Sequence, residues 1–282
     1  MNGFKNMIAL AVLVFLVLIL NSCGPSNNKT LKVLLIGNSS IYFNNMPKMI
    51  EHIARENGPD IKTEMIAFGG YTLNDHIIDG IVNKVLNSAH WDYVILNEQS
   101  TLGENYVVGG VQRVKESETF YNSVRKFDSI ISERGAKTIL ISLYARKNAP
   151  KVDGELLDYS YMKIAKELGI KISPVSQTWR DISKLRSKWQ LYREDNLHPT
   201  ALGSFITANV LYSTLTDSKS KPISGSISAP FRDEFDGTVH KDSMVSLLKI
   251  DRSISKLISE TAYKNVKQLN ESGGYFNLIK PN

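Results

Sequence analysis

The feature that most constrains this chain is an alternation of two hydrophobic periods. Short aliphatic runs of strand length, at 31–36, 61–68, 93–96, 138–143 and 170–175, are each followed by a longer stretch with apolar residues at helical spacing. Strands apolar along their whole length are those buried on both faces, and parallel neighbours need a crossover between them that a helix supplies. The pattern predicts an α/β domain of three layers, an α/β/α sandwich with a five-stranded parallel sheet in the middle.

The helical stretches give the sandwich its faces. Pro47, Met49, Ile50, Ile53 and Ala54 mark one side of a helix that stops at Gly58-Pro59. Leu73, Ile77, Ile78, Ile81, Val82, Val85 and Leu86 predict a single helix over 73–86 with one buried face. Phe120 to Ile131 and Leu157 to Leu168 repeat the pattern, residues 176–193 read as helical around Trp179 and Trp189, and Leu202, Phe205, Ile206 and Leu211 mark a helix after Pro199. Residues 101–115, rich in glycine and valine, are left as a long loop at the end of the third strand, a place where functional loops sit.

The two ends of the chain differ from this core. Lys5 and the apolar run 7–20 have the form of a signal-peptide charge and h-region, shorter than the roughly 18 to 20 residues a spanning helix needs. The run ends in Leu20-Asn21-Ser22-Cys23, which resembles a bacterial lipobox, and Cys23 is the only cysteine. That resemblance implies lipidation of Cys23, and two or more acyl chains suffice for stable anchoring; the alternatives are a cleaved secretory signal beside an incidental cysteine and an uncleaved N-terminal anchor. The expected division is a signal peptide over 1–22, a polar tether over 23–30, a core over 31–216, and a linker with a helical extension packed on the core over 217–282. Within the last part, 217–229 is polar and serine-rich, and Met244, Leu247, Leu248, Ile254, Leu257, Ile258, Ala262 and Val266 predict one long helix. The formal charge of +6 becomes +5 once Lys5 is removed. With no dense basic block, this excludes a nucleic-acid footprint.

Two short stretches carry chemistry. The first strand runs into Gly37-Asn38-Ser39-Ser40, delivering a hydroxyl to the C-terminal edge of the sheet, where ligands bind in open α/β folds. Far downstream, Asp195-Asn196-Leu197-His198-Pro199 stands before a helix. A carboxylate three residues ahead of an imidazole can hold its Nδ1 proton and leave Nε2 outward to accept a proton from serine. The alternative for this stretch is a capping acid and a surface histidine. His76, near the start of the second helix, is read as a capping or surface residue, with a place facing the site as the alternative, and His52, His90 and His240 have no partner pattern. Lys184, Arg186, Lys188 and Arg193 form a basic cluster before the histidine loop, read as a solvated face or a contact for an acidic sugar. Zinc-ligand spacing, a P-loop and a dinucleotide-binding glycine motif are all missing, and the chemistry calls for no cofactor.

Gly-Asn-Ser at 37–39, Gly-Gly-Tyr-Thr at 69–72, Asn-Glu-Gln-Ser at 97–100 and Asp-Asn-Leu-His-Pro at 195–199 fall in the order of the sequence blocks of SGNH hydrolases. The resemblance spans most of the predicted core, with asparagine in place of the aspartate of the GDSL motif. It implies a flavodoxin-like sheet order, Ser39 as nucleophile, Asp195 as orienting acid and His198 as general base. It also implies an oxyanion hole from the Ser39 N–H, the Gly70 N–H and an amide of the third block. That block lacks the usual G-x-N-D, and both Asn97 and Gln99 stand as candidates for the third donor.

The expected activity is that of a carboxylic ester hydrolase removing an acyl group, acetyl in the first place, from a carbohydrate, with lipids, peptidoglycan and other small esters as open alternatives. The expected place is the bacterial cell envelope, lipid-anchored, facing periplasm or cell exterior. Two rivals remain open at this point: an O-acyltransferase with the same residues, and a non-catalytic glycan-binding lipoprotein.

Overall fold

The computed structural model describes residues 30–235 and 237–273. Its centre is a five-stranded parallel sheet of β1 (Leu31–Gly37), β2 (Ile61–Ala67), β3 (Tyr93–Leu96), β6 (Lys137–Ile141) and β7 (Lys171–Ser173), in the order β2-β1-β3-β6-β7. The reversal of order beside β1 opens a crevice at the C-terminal strand ends. Val33 to Ile36 and Val94 to Leu96 are wholly buried, as helices on both faces require. The register places Gly37 beside Ala67 and Ile36 beside Leu96, so three candidate blocks leave the sheet at one level.

The covering helices are α1 (Ser39–Tyr42), α2 (Met46–Asn57), α3 (Leu73–Asp79), α4 (Ile81–Ser88), α5 (Glu118–Ser132), α6 (Lys151–Leu168), α7 (Val175–Leu185), α8 (Ala201–Thr216) and α9 (Arg252–Glu271). α8 is buried all round, from Gly203 to Leu215, because α2, α7 and α9 pack around it.

Four expectations are corrected. The stretch 73–86 is not one helix: Gly80, at φ 69°, separates α3 from α4 and turns Ile78 out to 74% exposure. Helix α7 ends at Leu185, and 186–193 is a turn leading into a bridge between Tyr192 and Pro199. The loop 101–115 contains a small hairpin, β4 (Val107–Val108) and β5 (Val111–Gln112), turned by Gly109 and Gly110, both at positive φ. Residues 217–224 form a connection without helix or strand, but the end of the expected linker and the start of the long helix are instead an antiparallel hairpin of β8 (Gly225–Arg232) and β9 (Val239–Ile250), with the helix confined to α9. Pro230 is tolerated in β8 because the hairpin has two strands and each keeps an unpaired edge. The signal-peptide, lipobox and Cys23 expectations lie outside the described residues.

Candidate active site

The site is built first by a close packing of two strand ends. A Cβ on Gly37 would lie 2.8 Å from the Asn97 carbonyl oxygen and 2.8 Å from the Ile41 side chain, so only glycine lets β1 end against β3 here. Asn38 then caps α1, its side-chain oxygen accepting the Ser40 N–H at 3.2 Å. Ser39 becomes the first helical residue, and its N–H belongs to the set with no helical acceptor. The Asn38 amide donates to the Tyr71 carbonyl at 3.1 Å, tying this turn to the loop after β2. In that loop Gly70 adopts φ 72°, a conformation a side chain would strain.

The downstream loop brings its two groups to the same place. One Asp195 oxygen accepts the Leu197 and His198 N–H groups, each at 2.9 Å, and the other lies 2.6 Å from His198 Nδ1. His198 Nε2 lies 2.9 Å from Ser39 Oγ. An ionised carboxylate only accepts, so it fixes the proton on Nδ1 and leaves Nε2 to accept the Ser39 hydroxyl. Burial works against the Asp195 charge, yet the bonds from the His198 ring and the two backbone N–H groups outweigh it and hold the carboxyl at about 2.

The His198 ring is also held from its other side. The Phe43 ring stacks on it, and the Arg193 guanidinium lies 4.2 Å from the Phe43 centroid. Arg193 donates to Glu234 at 3.0 Å, and the same carboxylate oxygen accepts the Asn44 N–H at 2.9 Å. The Asn44 amide donates to the Pro199 carbonyl at 3.1 Å and to Ser204 Oγ at 2.8 Å. Asn44 and Asn45 both take left-handed φ, which asparagine accepts more readily than most residues. None of Phe43, Asn44 and Glu234 was singled out by the sequence, although an Asn-Asn pair before Met46-Pro47 is a usable turn signal.

The third block separates the two amide candidates. Asn97 is wholly buried, and neither its nitrogen nor its oxygen has a hydrogen-bond partner. Gln99 is half-buried, and its amide nitrogen donates to the Gly70 carbonyl. A primary amide carries two N–H bonds, so this contact leaves a second donor at the Gly70 loop. Between them Glu98 is buried, its oxygens accepting the Leu73 N–H at 3.0 Å and the Gln99 N–H at 2.7 Å. Burial pushes its carboxyl up to about 7 against the pull of those two bonds.

His76 is a further correction: it is buried, with Nε2 at 2.7 Å from the Gly37 carbonyl, and burial lowers its pKa. It therefore supports the end of β1 from below. The loop after Gln99 is anchored by Arg113, which grips the buried Asp153 of α6 with Nε and Nη2 at 2.8 Å each. Among the described residues no group of three or more His, Cys, Asp and Glu side chains is placed to hold a metal ion. The arrangement can move a proton from a serine hydroxyl to an imidazole and offer N–H donors beside it.

No protein-family model matches the chain, and no curated protein sequence matches it. Solved structures do. A candidate SGNH hydrolase from Slackia heliotrinireducens is 21% identical, with a TM-score of 0.53 over 66% of this chain and 100% of its own. A DUF4886 family protein from Bacteroides uniformis is 16% identical, with a TM-score of 0.59 over 89% of this chain and 98% of its own. An acetyl xylan esterase is 12% identical, with a TM-score of 0.54 over 66% of this chain and 100% of its own. These likenesses establish a shared fold, and the Bacteroides match reaches over a larger share of this chain than the other two.

Proposed function

We propose that this chain, which has the fold of the SGNH hydrolases, is a serine carboxylic ester hydrolase acting on an acyl ester of a carbohydrate. The observation that carries the reading is the chain of contacts from Asp195 through His198 to Ser39, at 2.6 Å and 2.9 Å. Ser39 Oγ attacks the ester carbonyl carbon while His198 Nε2 takes its proton. The carbonyl oxygen becomes an oxyanion facing the Ser39 N–H, the Gly70 N–H and the second amide hydrogen of Gln99. His198 passes its proton to the leaving alcohol, and water, activated by the same imidazole, releases the acid and restores Ser39.

Gln99 is preferred over Asn97 as third donor because its amide is both accessible and already oriented by Gly70. An acetyl group on a carbohydrate is the proposed substrate, in keeping with the acetyl xylan esterase among the structures that share the fold. Cys23 is proposed to carry lipid and hold the enzyme at the bacterial cell envelope. The reading is tested by a fluorophosphonate probe: wild type is expected to be labelled and Ser39→Ala not. Absence of labelling in both, or ester turnover persisting in Ser39→Ala, rejects it.

A further inference from the structure

Beyond the Asp195–His198 loop lies a cavity of about 530 Å³, lined among others by Tyr144, Arg146, Lys147, Trp179, Lys184 and Tyr192. That volume is in the range of small-molecule sites, roughly 300 to 1,000 Å³. Its floor is aromatic. Tyr144 and Trp179 stack at 3.6 Å, Tyr192 meets both edge-on, and the Tyr192 hydroxyl donates to the Ala145 carbonyl at 2.7 Å.

The cations of its wall are not balanced. Glu155 and Asp158 also line the cavity, but Lys151 takes the first at 2.6 Å and Arg180 the second at 2.5 Å. Arg146, Lys147 and Lys184 have no carboxylate within ion-pair distance among the described residues. Arg146 is the informative one, because its Nε is buried without a hydrogen-bond partner. Burial pulls its pKa down, and the charge of Asp195 only partly opposes this. Asp195 is itself committed to His198 and two backbone N–H groups. A partly desolvated guanidinium with no carboxylate partner is costly to keep, and a ligand carboxylate meeting its outer nitrogens would answer the charge with charge-assisted hydrogen bonds.

The cavity also stands beside the histidine loop. The Lys147 N–H donates to the Asn196 carbonyl at 2.9 Å, so the cavity wall is joined to the loop carrying His198. In the proposed reaction His198 Nε2 returns the proton to the departing alcohol, and the cavity adjoins the loop that carries this group.

We propose that this cavity is a subsite for a hexuronate residue of the leaving carbohydrate, with Arg146 binding its carboxylate and Lys147 and Lys184 adding positive field. Its assignment to a sugar rests on the esterase reading, and the experiment separates the two. Hydrolysis of the methyl glycosides of O-acetylglucuronate and O-acetylglucose is compared in wild type, Arg146→Gln, Arg146→Lys and Lys184→Ala. The expected wild-type preference for the uronate is roughly tenfold or more in kcat/KM. That ratio is expected to collapse towards one in Arg146→Gln, to be kept in part by Arg146→Lys, to fall in Lys184→Ala, and to shrink at high salt. Binding of a glucuronate oligosaccharide to Ser39→Ala is measured by calorimetry, with an expected loss of about tenfold when Arg146→Gln is added. A wild-type ratio near one overturns the proposal, as does oligosaccharide binding indifferent to Arg146→Gln. Displacement of the oligosaccharide by equimolar inorganic phosphate assigns the cavity to another anion and overturns it too. If wild type turns over neither ester, the esterase reading falls and calorimetry alone decides the cavity.

Discussion

The ring of Phe43 lies flat against the imidazole of His198, with centroids 4.2 Å apart and planes within 12° of parallel. In its proposed role as general base, His198 must be held in one orientation, because small displacements of a catalytic group cost large factors in rate. Phe43→Ala is expected to lower kcat by roughly ten- to a hundredfold, with KM little changed. Steady-state kinetics on a chromogenic acetate ester checks this, and an unchanged kcat would show that Asp195 alone orients the ring.

The two amides of the third block should separate in the same assay. Gln99→Ala is expected to cost on the order of a hundredfold in kcat, the usual effect of removing an oxyanion donor. Asn97→Ala is expected to stay within a few-fold of wild type, since its side chain makes no hydrogen bond. The reverse pattern would move the role to Asn97.

Gly203 controls how closely α8 approaches the loop that precedes it. A Cβ there would lie 2.6 Å from the Leu191 carbonyl oxygen and 2.7 Å from the Trp179 ring. Gly203→Ala is therefore expected to destabilise the fold by about 1 to 3 kcal/mol. Urea unfolding gives the value, and an unshifted midpoint would contradict the packing described.

Glu98 predicts a pH dependence of stability with a definite sign. Its folded-state pKa is raised by burial to about 7 from an ordinary 4.5, so the native state retains its proton longer than the unfolded chain does. The contribution is fully present below about 4.5, declines as pH rises and is lost past about 7. Urea midpoints of wild type are expected to fall from pH 5 to pH 8, and Glu98→Gln to show a shallower fall. Parallel slopes in the two proteins would assign the titration elsewhere.

The proposed anchor is checked in bacteria by metabolic labelling with palmitate. Label is expected on wild type and lost in Cys23→Ser, with the variant released from the membrane fraction. Membrane attachment unaffected by that substitution would leave the lipobox reading without support.

The sheet was legible because each strand is an aliphatic run buried on both faces, and such runs announce themselves without reference to anything distant. Ser39, Asp195 and His198 stood out as candidates because each adjoins an element whose type was already readable, whereas Gly70 entered only through the resemblance to the SGNH blocks. The C-terminal hairpin was not. β9 is largely exposed, so no alternation marks it, and Met244, Leu247 and Leu248 happen to fall at helical spacing. Gly80 interrupts a convincing helical period, because the period records which residues are apolar and not where the backbone turns left-handed. Glu98 stood inside a recognised block, yet its burial arises only when α3 and α6 close over it. Glu234 gave no local sign, since its partners Asn44 and Arg193 are brought to it by the fold alone.

The reach of Glu234 changes where the working unit of this protein ends. Every group assigned to bond-making and bond-breaking lies before residue 217, which invites excision of a minimal fragment at that point. Such a fragment would keep the whole reaction inventory but lose the carboxylate that cross-braces Asn44 and Arg193, together with α9, which covers α8. The smallest autonomous form is thus longer than its chemistry, and grafting this hairpin between relatives would transplant tuning of the histidine along with it.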